Sequence, residues 1–371
     1  MTDLSRISVV LPSLDPDEKL TAVVDGLLSH GFSDIILVND GSKSENVHYF
    51  TDEAAKHPEI TLLTHEVNRG KGAAMKTAFR WFLENRPYGV GVITVDGDNQ
   101  HHPADTRACC EKMLETGHCV LGCRDFDQED VPPRSRFGNK TTSLVFKIFV
   151  GMTISDTQTG LRAIPRGDLE TLIQVEGDRY EYETNTLLAM KTHAIPFHEV
   201  KIRTVYIEEN ASSHFHPIRD SWRIYKLILA HFFRYTLSSV VCFVVDSGMV
   251  YLLTLLLGRV LHDPILSGTA TVGARLTSSI LNFFLNKKLV FRSDVSTGRS
   301  MLRYYTLAVP QMLIQWLLVQ LSYSLLHISE AAAGLRTLVH MIVMCLLFII
   351  SFSIQQRWVF APDKKDKEEK E

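Results

Sequence analysis

The chain has 371 residues and a formal net charge of −3, with 39 Lys and Arg against 42 Asp and Glu. That is long enough for two domains of ordinary size, and a balance so near neutral argues against a nucleic-acid partner, which leaves a basic footprint. Mean hydropathy near zero describes neither half, because apolar residues crowd into the C-terminal third.

Met1 to Arg6 leads straight into a strand-length apolar run without the h-region of a signal peptide, so the first half is expected in the cytosol. Ile7 to Leu14 reads as a strand and Asp17 to His30 as a helix with apolar residues at helical spacing. Asp34 to Asp40 is a second buried strand, closed by Asp40-Gly41-Ser42 as a turn and helix cap. Ile60 to His65 is a third, and Asn68-Arg69-Gly70-Lys71-Gly72 opens a helix running to about Leu83. Val90 to Asp96, a helix from Pro103 to Glu115 and a strand from Cys119 to Arg124 continue the alternation. Strands alternating with helices predict a parallel α/β sheet covered on both faces, with ligands beyond the carboxyl ends of its strands. Pro12, Asp40, Asp96 and Asp98 all fall at such ends, so one site is expected.

The densest chemistry is Val95-Asp96-Gly97-Asp98-Asn99-Gln100. Two carboxylates two residues apart at a strand exit repel each other and raise each other's pKa. A hard divalent cation, Mg²⁺ or Mn²⁺, relieves that by taking carboxylate oxygens together with substrate phosphates. Gln100 adds a neutral oxygen. The alternative is a solvated acidic turn capping the helix after Pro103. Two other motifs fail. Gly70-Lys71-Gly72 lacks the third glycine of a dinucleotide fingerprint, Met75 standing there, and it follows the third strand; no GxxxxGK[ST] spacing exists. Its glycines still suit a phosphate at a helix N-terminus, or a plain helix start. The six cysteines (109, 110, 119, 123, 242 and 345) form no CxxC pair with a matching His set, which favours reduced structural thiols over zinc or disulfides.

Taken in order, VVLPSLDPDEKL, LVNDGS, NRGKGAAM, VDGDNQHHP, LGCR and DTQTGLRA resemble family-2 glycosyltransferases of the GT-A fold, over about residues 5 to 210. The nearest type is the polyprenyl-phosphate glycosyltransferases, typified by dolichol-phosphate mannose synthase. The resemblance implies that Pro12, Asp40 and Asp96 hold the nucleotide of a UDP- or GDP-sugar. Asp96, Asp98 and Gln100 would surround the metal on its diphosphate, and Lys71 is placed on the donor side. The first loop departs from the family's PxYNE: Leu14 stands at the usual Tyr, and Asp15 and Asp17 surround the Glu position. Leu14 and Asp17 are the donor candidates there, with the base left open. On the acceptor side Arg124, Arg134, Arg136 and Arg162 are candidate phosphate ligands, since arginine forks grip phosphate bidentately. Pairing with Asp125, Asp127, Glu129 and Asp130 is the alternative. Glu183, in Tyr180-Glu181-Tyr182-Glu183, is a candidate for sugar or arginine contacts, or for general base if the acceptor is a hydroxyl.

The C-terminal half reads differently. Asp220 to Phe233 mixes basic and aromatic residues as an interfacial helix would. Four apolar runs follow, about Tyr235–Leu257, Ile265–Leu285, Tyr305–Leu326 and Leu338–Ile354, each near the ~20 residues that cross a bilayer. Lys287, Lys288, Arg292, Arg299 and Arg303 crowd the middle connection, which puts it and both termini on the cytoplasmic side. Tyr235-Thr-Leu recurs at Tyr305, and NFFLNKKLVF (282–291) recurs as SFSIQQRWVF (351–360), the mark of a duplicated hairpin. This segment resembles the GtrA family, some of whose members are proposed to move or present lipid-linked sugars. Asp246 and Arg275, each eleven residues from its span's cytoplasmic end, reach equal depth and can pair.

The expected architecture is an α/β GT-A domain with a Rossmann-like parallel sheet (1–218), an interfacial helix (219–234), an all-α domain of four transmembrane helices (235–360) and a charged cytosolic tail (361–371). The expected activity is metal-dependent inverting transfer of a sugar to a polyprenyl phosphate, undecaprenyl phosphate if bacterial, at the cytoplasmic membrane. Membrane lipid is the expected surroundings. A homo-oligomer is compatible with this, four spans leaving little room to carry a lipid-linked headgroup alone.

Overall fold

The computed structural model describes residues 3–128, 131, 133–203, 217–261, 265–293, 295–327 and 333–361. They fall into two units, Met1–Leu227 and Ile228–Glu371.

The first unit is built on seven strands: β1 (Ile7–Ser13), β2 (Ile35–Asn39), β3 (Ile60–Thr64), β4 (Gly91–Thr94), β5 (Cys119–Arg124), β6 (Arg162–Pro165) and β7 (Phe197–Ile202), in the order β3-β2-β1-β4-β6-β5-β7. β1, β2 and β4 are buried almost throughout, as continuous apolar runs covered on both faces must be. Helices α1 (Lys19–Ser29), α2 (Val47–Lys56), α3 (Lys71–Asn85) and α4 (Pro103–Thr116) alternate with the first five strands. Leu20, Val23, Val24 and Leu27 of α1 and Cys109, Cys110 and Met113 of α4 join the sheet in one core. Then come α5 (Pro133–Val145), α6 (Arg166–Ile173) and α7 (Glu181–Thr192).

The sheet is mixed rather than parallel. β6 runs antiparallel to both β4 and β5, between which it lies, while the other pairings are parallel. The cause is local. The connection after β5 returns at the edge it left, so Arg162 starts β6 beside Leu121 and Thr94. Neither β6, a four-residue strand, nor β7 was foreseen from the sequence.

The second unit consists of long helices: α8 (Pro217–Leu257) from Ile228 onward, α9 (Ile265–Leu285), α10 (Thr297–Leu325) and α11 (Ala333–Ile354). The expected interfacial segment and first span are one uninterrupted helix, α8. Most side chains of 219–234 lie outside the described residues, as do residues 362–371 of the expected tail. Phe232–Leu257 and Gly334–Val359 are long and apolar enough to cross a membrane, at mean hydropathies of 2.2 and 2.5. Of the other two expected spans, α9 is diluted by Gly, Ser and Thr and carries Arg275, and α10 contains Pro310 and three glutamines. Both repeated motifs end in a widened π-helical turn, Asn286–Val290 and Gln355–Val359. There Asn286 donates to Gln355 at 3.1 Å, and Phe291 stacks on Phe360 with centroids 5.1 Å apart.

Candidate active site

The carboxyl ends of the central strands place four ionisable side chains in one cluster. Asp96 follows β4, and its Oδ1 lies 2.6 Å from Nζ of Lys71, the first residue of α3. The same ammonium lies 2.6 Å from Oε1 of Glu183, in the first turn of α7. Nε2 of His101 stands 3.4 Å from the other Asp96 oxygen. Burial alone would raise the Asp96 carboxyl, but Lys71, helped by His101, holds it well below the usual carboxylate range. Lys71 is held above its ordinary value despite burial, through Asp96 and Glu183. Asp98 moves the opposite way: burial and then the Asp96 charge push its carboxyl up. One of its oxygens accepts the Gln100 amide at 3.1 Å, across a turn in which Asn99 takes a positive φ of 62°.

The backbone allows this crowding at two glycines. Gly70 turns into α3 at φ 103°, where a side chain would collide with the Asp178 carbonyl. Gly160 is held against β4 by the Thr94 hydroxyl, which donates to its carbonyl at 2.6 Å, and a Cβ there would strike the Asp96 carboxylate.

Asp40 is 3 % exposed and accepts from the Arg69 amide (3.0 Å), the Gly70 amide (2.7 Å) and His65 Nδ1 (2.7 Å), so its carboxylate builds the turn that aims Lys71. Pro12 is buried in β1 opposite Val38, and Leu14 is half-buried in the loop beyond it. Asp17, more than half exposed, accepts the Lys19 amide at 2.9 Å at the start of α1.

On the acceptor side the structure separates the arginines. Arg124, at the end of β5, forms a two-pronged pair with the fully buried Asp156, Nε at 2.7 Å and Nη2 at 3.1 Å, and lies over the Phe126 ring. Arg136, in the first turn of α5, donates through Nη2 to the Gln128 carbonyl at 2.6 Å. The Arg134 side chain lies outside the described residues. Arg162 corrects the sequence expectation. It is 1 % exposed and donates to the Thr159 carbonyl (3.0 Å), the Glu183 carbonyl (2.9 Å) and the Thr186 hydroxyl (2.6 Å). A guanidinium sealed in that way positions α7 and cannot reach a ligand outside. Glu183 thus does meet an arginine, but through its carbonyl; its carboxylate faces Lys71.

His101, Asp156 and Gly160 were missed as site residues. All three lie in the motifs that carried the resemblance, yet two adjacent histidines do not say which faces Asp96, and the Asp156–Arg124 pair spans 32 residues. In the second unit Arg275 Nε approaches Asp246 Oδ1 to 3.9 Å, and Ser278 donates to the same oxygen at 2.8 Å.

The first unit is thus a mixed α/β sheet with paired carboxylates, a lysine and glycine-permitted close approaches beyond its central strands, joined in one chain to an apolar helical unit. Residues 8–172 match Glycosyl transferase family 2, and residues 234–360 match the GtrA/DPMS transmembrane domain. The chain therefore carries a family-2 glycosyltransferase domain followed by a GtrA/DPMS transmembrane domain; it is a glycosyltransferase, and its C-terminal domain marks a membrane protein. Among relatives, the UDP-N-acetylglucosamine–dolichyl-phosphate N-acetylglucosaminyltransferase of Methanococcus voltae is 26 % identical over 54 % of this chain and 86 % of its own length. The undecaprenyl-phosphate mannosyltransferase of Micrococcus luteus is 24 % identical, covering 55 % and 84 %. Among solved structures, glucosyl-3-phosphoglycerate synthase from Mycobacterium tuberculosis, in complex with Mn²⁺, UDP and glucosyl-3-phosphoglycerate, aligns with a TM-score of 0.45 and 16 % identity over 60 % of this chain and 77 % of that one.

Proposed function

We propose that this protein transfers a sugar, with inversion, from a UDP- or GDP-sugar to a polyprenyl phosphate of the dolichyl or undecaprenyl type. In this reading the sheet is a GT-A domain at the cytoplasmic face of the cell membrane, and α8 to α11 are four spans of a duplicated hairpin with both termini in the cytosol. The observation that carries the proposal is the Asp96–Asp98 pair at the exit of β4, flanked by Lys71 and His101. The names of the relatives support the acceptor.

The donor set fits a hard cation. Asp98 is destabilised as an anion by burial and by Asp96, and Gln100, two residues on, carries a neutral side-chain oxygen. Asp96, Asp98 and Gln100 would hold Mg²⁺ or Mn²⁺, which when bound supplies Lewis-acid neutralisation of the departing diphosphate. Lys71 adds a fixed positive charge at a helix N-terminus, where phosphate oxygens are favoured. Arg124, its plane set by Asp156, and Arg136 hold the acceptor phosphate so that an oxygen attacks the anomeric carbon in line. A phosphate is already an anion at pH 7, so no strong base is required. Glu183, ion-paired with Lys71, is suited to orient the sugar and the lysine rather than to abstract a proton; transfer to a hydroxyl would need that base. The test is the purified full chain with undecaprenyl or dolichyl phosphate, assayed against UDP- and GDP-sugars by mass spectrometry of the lipid. A lipid-phosphate-sugar is expected with one donor, and its absence with all of them overturns the proposal.

A second reading, presentation or translocation of the lipid-linked sugar by the helical unit, is favoured by a cavity of about 250 Å³ there. Tyr235, Asn282, Tyr304, Gln311, Ser351 and Gln355 line it, uncharged hydrogen-bonding groups of the kind that suit sugar hydroxyls. The Asp246–Arg275 pair belongs to the same unit.

A further inference from the structure

Away from the cluster around Asp96, α1 and α2 bring Asp25, Glu53 and His57 together, with one ligand atom from each within 4.8 Å of the others. His57 Nε2 lies 3.6 Å from Glu53 Oε2 and 3.6 Å from Asp25 Oδ1. Two atoms bound to one tetrahedral zinc at roughly 2.1 Å lie about 3.4 Å apart, and these separations, longer than hydrogen bonds, are close to such an edge. The burial supports a ligand too. Glu53 is 4 % exposed, and among the described residues neither its Oε2 nor Nε2 of His57 has a hydrogen-bond partner. A buried carboxylate oxygen left so is costly unless a cation satisfies it. The other Glu53 oxygen accepts the Thr21 hydroxyl at 3.0 Å, the outer contact that orients a metal-binding carboxylate.

We propose that Asp25, Glu53 and His57 form a zinc site that staples α1 to α2, with solvent at the fourth position. One imidazole nitrogen and two carboxylates suit Zn²⁺ better than the all-oxygen preference of Mg²⁺. Lys56 competes: its ammonium lies 3.5 Å from Asp25 Oδ1, and its side chain is 54 % exposed, so it can swing into solvent when the metal enters. The alternative is a protonated His57 shared between two carboxylates.

The full chain, stripped of metal and returned to chelator-free buffer, is titrated with zinc sulfate alone, and bound metal is counted by calorimetry and elemental analysis. Wild type should bind one zinc more than His57→Ala or Glu53→Gln, with a zinc-dependent rise in melting temperature that both variants lose. Asp98→Asn should keep that zinc, which separates this site from the paired aspartates. Equal zinc content in wild type and His57→Ala overturns the proposal. Thr21→Val should weaken binding roughly tenfold. Lys56→Met removes a competing charge without touching a ligand, so zinc should bind at least as tightly; loss of the zinc in that variant would mean that the ligands are not these three and also overturns it.

Discussion

Lys71 separates two carboxylates that would otherwise face each other. The Lys71, Asp96 and Glu183 side chains are 19, 27 and 12 % exposed, so little water screens them. Removing the cation leaves uncompensated charge near the core, and Lys71→Met should cost on the order of 3 kcal/mol. A denaturation midpoint unchanged from wild type would show that the ion pairs contribute nothing, while Lys71→Met with Glu183→Gln should recover part of the loss. At Asp98 the expected effect is on chemistry alone. Asp98→Asn should lower transfer by about 100-fold or more with the melting temperature kept, and chelation by EDTA should do the same to wild type until Mg²⁺ or Mn²⁺ is restored. Full activity in EDTA would remove the metal from the mechanism. That Asp98 leaves β4 beside Asp96 could be read from the sequence because a strand exit and a two-residue spacing are local facts. Arg162 could not: an arginine closing a loop looks like a ligand until α7 arrives over it, and the partners that seal it, Glu183 and Thr186, are 21 and 24 residues away.

Among the elements, the start of α3 shows how much a turn can carry. Asp40 accepts the two amides of Arg69 and Gly70, and Gly70 occupies a conformation closed to other residues. Gly70→Ala should destabilise the protein by about 1–3 kcal/mol and lower transfer, because the turn that aims Lys71 must shift; a thermal melt and the transfer assay check both. Helix α4 makes a prediction about pH. Burial, and then the Asp105 charge, push the Cys109 thiol from an ordinary 9.0 to about 12. Between those values the unfolded chain loses a proton that the folded one keeps. Stability contributed by this thiol is therefore complete below about pH 9 and falls as pH rises toward 12. Maleimide labelling followed by mass spectrometry should find Cys109 unreactive in the native protein at pH 9 and reactive in urea. The strands up to β5 and helices α1, α3 and α4 were legible in the sequence, while α2 was signalled only by the turn at Asp40-Gly41-Ser42. β6 was not legible, since four residues carry too short a pattern and its antiparallel direction is set by where residues 125–161 return.

For the whole molecule, the question is whether the helical unit only anchors. If it delivers the lipid-linked sugar, Asp246→Asn or Arg275→Gln should spare transfer in detergent yet stop sugar delivery across the membrane in cells. Removing one charge strands the other, so the double variant separates misassembly from function. Normal delivery by the double variant would leave the pair a structural contact.

The antiparallel β6 has a consequence for how such a molecule changes over generations. Residues 125–161 leave the sheet after β5 and come back, as in an overgrown hairpin, to the edge they left. Unlike a crossover, which must span the sheet from end to end, a connection of this kind has no fixed length, and its closure entropy grows only slowly as it lengthens. It also carries Arg136 and Asp156, the partner of Arg124, whereas Lys71, Asp96 and Asp98 lie elsewhere in the chain. Under the proposed assignment, the stretch around Arg136 is a cassette: it can be lengthened or trimmed in descendants while Asp156 and Gly160, which pack against Arg124 and Asp96, stay as they were.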